Sequence, residues 1–431
     1  MNRDAEAALL VGATVIASMG VGLVNLAQGG GIDAQVALTF FVFAVSFGSL
    51  HVAIRRWSPG ASPLLLPLAA ILTALGFVEV YRISHKFAAL QRWWLLMAAG
   101  LAALLLFALR RSGVAPLRRY RYTSLTISVA LLLLPLLSTD WRFPVRGVVA
   151  GGSRLWTTLV AGPITLNFQP GEIAKIVLVL FLASYLSERR PALTESTRRL
   201  GRFSIPEPRH LIPVFLAWLA SFGVLVFQRD LGASLLLFAA FIAMLYAATG
   251  KTAYLTAGGS LFLVGTAAAA ATFGHVARRF AAWLSPFSDP TDTGYQILQS
   301  LFALGSGSLS GAGLGVGTPD RIPAAWTDFI FSAVGEELGL AGSIAVISVY
   351  ALLVAVGFGI ALRSRDLFRK LLAFGLAFVL GFQAFLIIAG VTRLLPLTGI
   401  TLPFMSYGGS SLVANFLILA LLARVSHEEK V

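Results

Sequence analysis

Leu371 to Val391 reads LLAFGLAFVLGFQAFLIIAGV, with Gln383 as its one polar side chain and Lys370 and Arg393 just outside it. At 1.5 Å per residue such a helix is about 30 Å long, the thickness of a bilayer's hydrocarbon core. Similar runs recur along the chain. Cut at charges and at Pro, Gly and polar clusters, they fall near 7–27, 34–54, 62–80, 91–109, 122–138, 171–187, 211–227, 230–248, 253–273, 328–361, 370–392 and 405–425. The pattern predicts an all-α polytopic membrane protein of about twelve transmembrane helices.

Composition agrees. The 431 residues are 57% hydrophobic and only 12% charged. That is too few charged side chains to cover the exterior of a soluble globule, so soluble, disordered and collagenous readings are excluded. The chain has no Cys, which removes disulfides, thiolate nucleophiles and Cys metal sites.

The net charge of +14 comes from 33 Lys and Arg. With the N-terminus in the cytoplasm, most of these fall in inside segments. Dense examples are Arg110, Arg111, Arg118, Arg119 and Arg121; Arg189, Arg190, Arg198, Arg199, Arg202 and Arg209; and Arg363, Arg365, Arg369 and Lys370. Positively charged inner loops support twelve spans with both termini cytoplasmic. The surplus is then mostly topology, and nucleic acid has no place as a partner.

Two outside loops, about 139–170 and about 274–327, are too long for simple turns. Trp, Phe and Pro at intervals argue for order in both, so chemistry is expected on the outer face.

Several residues there suit chemistry, each with a plainer reading beside it. Glu172 and Lys175 open the sixth span in FQPGEIAK (168–175), an i, i+3 pair. They read as a structural ion pair at the membrane edge or as a ligand-facing ammonium with its partner. Asp230, in the tight turn QRDLG (228–232), reads as a helix cap. Asp289 precedes Pro290, which holds its backbone away from helix, and Asp292 follows on the same loop. Two carboxylates so placed suit a base and its partner, two metal ligands, or an Asp-Pro turn with solvated acids. The Gly-rich 305–317, GSGSLSGAGLGVG, lacks the spacing of a nucleotide loop and reads as a close-packed re-entrant segment or a hinge. Arg142, Arg146 and Arg154 with Trp156 suit a phosphate and a sugar face, or interfacial anchoring alone. Paired Gly and Pro in 398–411 interrupt the approach to the last span, lining a polar cavity or packing helices closely.

FQPGEIAK (168–175), QRDLG (228–232), SPFSDPTDTGYQILQSLFALGSG (285–307), TDFIFSAVGEELG (327–339) and PLTGITLPFMSYGGSSLVANF (396–416) together resemble the SEDS family (shape, elongation, division and sporulation) of the RodA/FtsW type. The resemblance runs from about 65 to the C-terminus. It implies a ten-helix core at 61–431; residues 1–60, which the family pattern does not cover, are expected to form two additional N-terminal helices.

The resemblance also implies an activity: polymerisation of peptidoglycan glycan strands from lipid II, with undecaprenyl pyrophosphate leaving, for cell elongation or division. The implied partners are lipid II, membrane lipids and a class B penicillin-binding transpeptidase. The implied place is the bacterial cell membrane. Asp289 matches the family's general base. Candidates for binding substrate and stabilising the leaving pyrophosphate are Lys175 with Glu172, Arg154, Trp156, Arg279, Arg321, Arg393, Ser406 and Tyr407. Lys175 and Arg393 are the preferred pair of cations. A divalent cation, Mg2+ or Mn2+, is an alternative stabiliser, with Asp292 or Asp289 as its ligand. The chain departs from the family at Gly171, Arg229 and Trp326, where Ser, Pro and His or Asn are common. Competing readings are a lipid II flippase and a non-catalytic scaffold for the transpeptidase; neither needs a positioned carboxylate on the outer loop.

Overall fold

A computed structural model describes residues 3–137, 144–150, 153–161, 164–195, 197–200, 203–206, 219, 223, 227–228 and 230–430. Ten helices among them are long and apolar enough to cross a membrane. They are α1 (Arg3–Ala27), α2 (Ala34–Trp57), α3 (Leu65–Ile83), α4 (His85–Leu109), α6 (Pro170–Glu195), α7 (Leu231–Thr249), α8 (Ala253–Thr272), α12 (Gly339–Arg363), α13 (Leu367–Val391) and α14 (Gly409–Glu428). The remaining helices are α5 (Arg121–Leu133), α9 (Gly274–Leu284), α10 (Tyr295–Ser306) and α11 (Ile330–Glu337).

These ten match ten of the twelve expected runs. The fifth expected run is shorter than a span. α5 has 13 residues and passes into a 3-10 turn at Leu134–Leu136, where Pro135 has no N–H to continue the ladder. The seventh, 211–227, lies largely outside the described residues. The tenth is split: α11 ends at Glu337 and α12 begins at Gly339, whose φ of 68° breaks the helix. α4 starts at His85 rather than at 91, and Arg92 is one of its buried residues. Its guanidinium donates to Gln35 Oε1 at 2.6 Å and Thr39 Oγ1 at 3.3 Å.

The membrane body is helical, but the loops are not simple coil. In the segment before α6, β1 (Val145–Ala150), β2 (Ser153–Ala161) and β3 (Ile164–Phe168) form an antiparallel sheet in that order. Trp156, Thr157, Thr158 and Val160 give β2 the aromatic and β-branched side chains that favour a pleated strand. β4 (Thr197–Leu200) and β5 (Phe203–Pro206) make a hairpin after α6. The segment between α8 and α11 holds α9 and α10.

The chain divides into two compact units. One comprises residues 1–111, 274–357 and 380–431, and the other 112–273 and 358–379. In the first unit α1 packs on α2 and α3, α2 on α4, and α4 on α14. The first two helices thus share a core with the two that follow. α14 is enclosed along almost its whole length. In the second unit α6 packs between α5 and α7.

Candidate active site

Asp289 lies in the first unit, between α9 and α10. Pro286–Ser288 makes one 3-10 turn that ends on Asp289 with φ −142° and ψ 75°, the non-helical backbone a following proline imposes. The chain then folds back on itself. The Gly294 amide donates to the Asp289 carbonyl at 2.9 Å. A Cβ on Gly294 would stand 2.0 Å from the Pro286 carbonyl oxygen, so only glycine closes this turn. Asp289 Oδ2 accepts from the Thr293 amide at 3.2 Å and the Thr293 hydroxyl at 3.0 Å. These two bonds, helped by the amides of Asp292 and Thr291, hold the carboxyl below its ordinary range. Asp289 is half-exposed and Asp292 exposed.

The site is therefore an ionised, accessible acceptor on a locally rigid turn. Thr293 is the residue the sequence reading missed. No sequence signal pointed to it, since the common Asp side-chain turn bonds the backbone two residues on and Thr293 is four on.

The other candidates in this unit divide into exposed and committed. Arg321 is exposed, and its carbonyl accepts from Tyr295 OH at 3.5 Å, which ties its turn to the start of α10. Arg393 is committed to backbone. Its Nε donates to the Trp283 carbonyl and its Nη2 to the Leu284 carbonyl, both at 2.8 Å. Arg279 Nη1 donates to the carbonyls of Leu397 at 3.2 Å and Thr398 at 2.9 Å. Ser406 is buried. Its hydroxyl donates to the Thr327 carbonyl at 2.5 Å and accepts from the Leu402 amide at 2.9 Å. The Tyr407 amide donates to the Trp326 carbonyl at 2.8 Å. Its ring and that of Trp326 both lie against Phe87, 4.6 and 5.0 Å between centroids, and burial pushes the phenol up.

The Gly-rich segment is close-packed. The Ala312 and Gly313 amides donate to the carbonyls of Glu336 and Glu337, and the Leu340 and Ala341 amides to Ser308 and Leu309. Glu337 accepts from the Gly315 amide at 2.8 Å and from Arg82 Nε at 3.1 Å. Glu336 accepts from the amide and hydroxyl of Thr318 at 2.9 and 3.2 Å. A Cβ on Gly311 would lie 2.2 Å from the Glu337 carbonyl oxygen, so glycines here serve close approach, not a nucleotide.

In the second unit Lys175 donates to Glu172 at 2.6 Å, with both side chains buried in α6. Arg154 is exposed on β2 and Trp156, two residues on, shares its face. Asp230 caps α7, accepting from the Ala233 amide at 2.9 Å. Arg142, Gly151, Gly152 and Arg229 lie outside the described residues.

No three of His, Cys, Asp and Glu gather into a metal cage among the described residues. Asp289 and Asp292 fit Mg2+ or Mn2+ only in the mode that uses one or two carboxylates and completes the shell with substrate phosphates.

The chain is similar to known proteins along most of its length. The peptidoglycan glycosyltransferase RodA of Mycobacterium tuberculosis (strain ATCC 25618 / H37Rv) is 41% identical over 99% of this chain and 91% of its own length. The probable peptidoglycan glycosyltransferase FtsW of Geobacter sp. (strain M18) is 37% identical over 85% of this chain and 97% of its own. A chain from a structure on the coordination of polymerization and crosslinking by a peptidoglycan synthase complex superposes with a TM-score of 0.67. It is 28% identical, over 86% of this chain and 98% of that one. The family profile for FtsW, RodA and SpoVE, described as cell cycle protein, matches residues 61–431. This multi-pass membrane protein belongs to the FtsW/RodA/SpoVE family.

Proposed function

We propose that this chain is a peptidoglycan glycosyltransferase that polymerises glycan strands from lipid II. It acts at the outer face of the bacterial cell membrane, with both termini in the cytoplasm and residues 1–60 adding two helices to the family core. It works beside a class B penicillin-binding transpeptidase. The observation that carries this reading is Asp289, an ionised carboxylate on a rigid, accessible turn of a family member.

The 4-hydroxyl of the acceptor GlcNAc attacks the anomeric carbon of the donor MurNAc as the bond to undecaprenyl pyrophosphate breaks. Asp289 accepts the hydroxyl proton as the new C–O bond forms. Held below the ordinary carboxylate range, it stays ionised at neutral pH and releases the proton readily to water. The leaving pyrophosphate needs positive charge. Exposed Arg321, in the same unit as Asp289, is able to meet it directly, whereas Arg393 is already bonded to backbone carbonyls. A Mg2+ or Mn2+ ion held by Asp292 or Asp289 with the pyrophosphate would supply further charge stabilisation.

The test is polymerisation of lipid II by purified protein. Asp289→Asn is expected to bind lipid II and make no polymer. Full polymerisation by that variant would refute the assignment of the base. Lipid II scrambling by the parent protein without polymer would move the reading to a flippase.

A further inference from the structure

Arg393 was expected to meet the pyrophosphate, yet its hydrogen bonds run to the backbone of α9. The Nε and Nη2 bonds end on Trp283 and Leu284, the last residues before the Asp289 turn begins at Ser285. Trp283 Nε1 donates back to the Arg393 carbonyl at 3.0 Å. Arg279, one turn earlier on α9, reaches the Leu397 and Thr398 carbonyls of the same segment. On the far side of the turn, Ser300 of α10 donates to the Val391 carbonyl at 2.8 Å. Both helices flanking Asp289 are thus tied to one stretch, residues 391–398. Helix C-terminal carbonyls lack intrahelical donors, and a guanidinium fork is the group that satisfies two of them at fixed geometry.

The backbone supports the same conclusion. Arg393 has φ 61°, a left-handed conformation that suits Gly or Asn better than Arg. An arginine stands where the backbone disfavours it.

We propose that Arg393 is a positioning residue for the glycosyl transfer, a latch that fixes the Asp289 turn through the C-terminus of α9 and does not touch the substrate. The proposal rests on Asp289 as the base.

The chain has no Cys, so a single one reports locally. Thr291 is exposed on the turn. A nitroxide on Thr291→Cys in the purified full-length protein is followed by electron paramagnetic resonance, with Arg393→Gly, Arg393→Lys and Trp283→Phe added in turn. Lipid II polymerisation and affinity are measured on each. Arg393→Gly keeps the left-handed backbone at ease and removes the whole side chain, guanidinium included. It is expected to loosen the label and to lower turnover at saturating lipid II by about 10- to 100-fold, with KM unchanged. Arg393→Lys gives no rescue, because an ammonium does not reproduce the fork. Trp283→Phe keeps the ring, deletes one N–H, and shifts both readouts the same way to a smaller extent; it carries the test if Arg393→Gly does not fold. A label as immobile as in the parent overturns the proposal. So does rescue by Arg393→Lys with weakened lipid II affinity in Arg393→Gly, which would return Arg393 to the pyrophosphate. Full polymerisation by Asp289→Asn beside a loosened label in Arg393→Gly would remove the base and leave the latch standing.

Discussion

Asp289 sits half-exposed and takes its hydrogen bonds from the next four residues, whereas Glu337 is fully buried and spends both oxygens on groups far along the chain, Arg82 and the Gly315 amide. Both are carboxylates of the same unit. The first needs no distant partner and so has its face to offer to a substrate. The second is part of what closes the Gly-rich segment onto α11. An acid's availability to chemistry therefore follows from where its hydrogen bonds go, more than from how many acids lie nearby.

The contrast can be broken at either end. Asp289→Asn should reduce polymerisation by at least about 100-fold, the low end of general-base contributions, and leave the unfolding temperature of the purified protein unchanged. A destabilised Asp289→Asn would place Asp289 with the structural acids. Glu337→Gln should do the reverse, costing about 1–3 kcal/mol in thermal unfolding, because half-buried Arg82 and the Gly315 amide lose their charged acceptor. Adding Arg82→Met to Glu337→Gln should return at least about 1 kcal/mol of that loss, since the orphaned cation is then gone. No recovery would show that the Gly315 amide, rather than the ion pair, sets the cost. The smallest effect concerns titration. Thr293→Val removes one donor to Asp289, so its carboxyl rises toward the ordinary range. A group held low loses its charge only in acid, so the acid limb of the pH–rate profile should move to higher pH while the neutral plateau stays. An unmoved limb would detach Asp289 from that limb.

The transmembrane helices were legible because length and charge-free composition are local properties, and nearly all the runs became helices. The family resemblance was legible because its motifs are contiguous. Asp289 was legible as a constrained carboxylate through Pro290. What was hidden is non-local. Nothing around Ser406 announces that its hydroxyl bonds to Thr327, 79 residues away. Nothing around Arg393 announces Trp283, 110 residues away. Glu336 and Glu337 were visible as acids within an apolar run, but their partners, the Thr318 and Gly315 amides, depend on how the glycines fold. The strands were missed because β1–β3 are short and amphipathic beside twelve stronger apolar signals.

The left-handed backbone at Arg393 has a consequence for thermostability engineering. Replacing a strained residue by glycine at a positive φ is a standard route to a sturdier protein, worth about 1 kcal/mol when the side chain is idle. At Arg393 the side chain is not idle: Arg393→Gly sets that gain against the two hydrogen bonds to the end of α9, so the melting temperature reports only their difference. A small net change in stability would then conceal a large one in turnover, which makes this position a sensitive place to measure the two against each other.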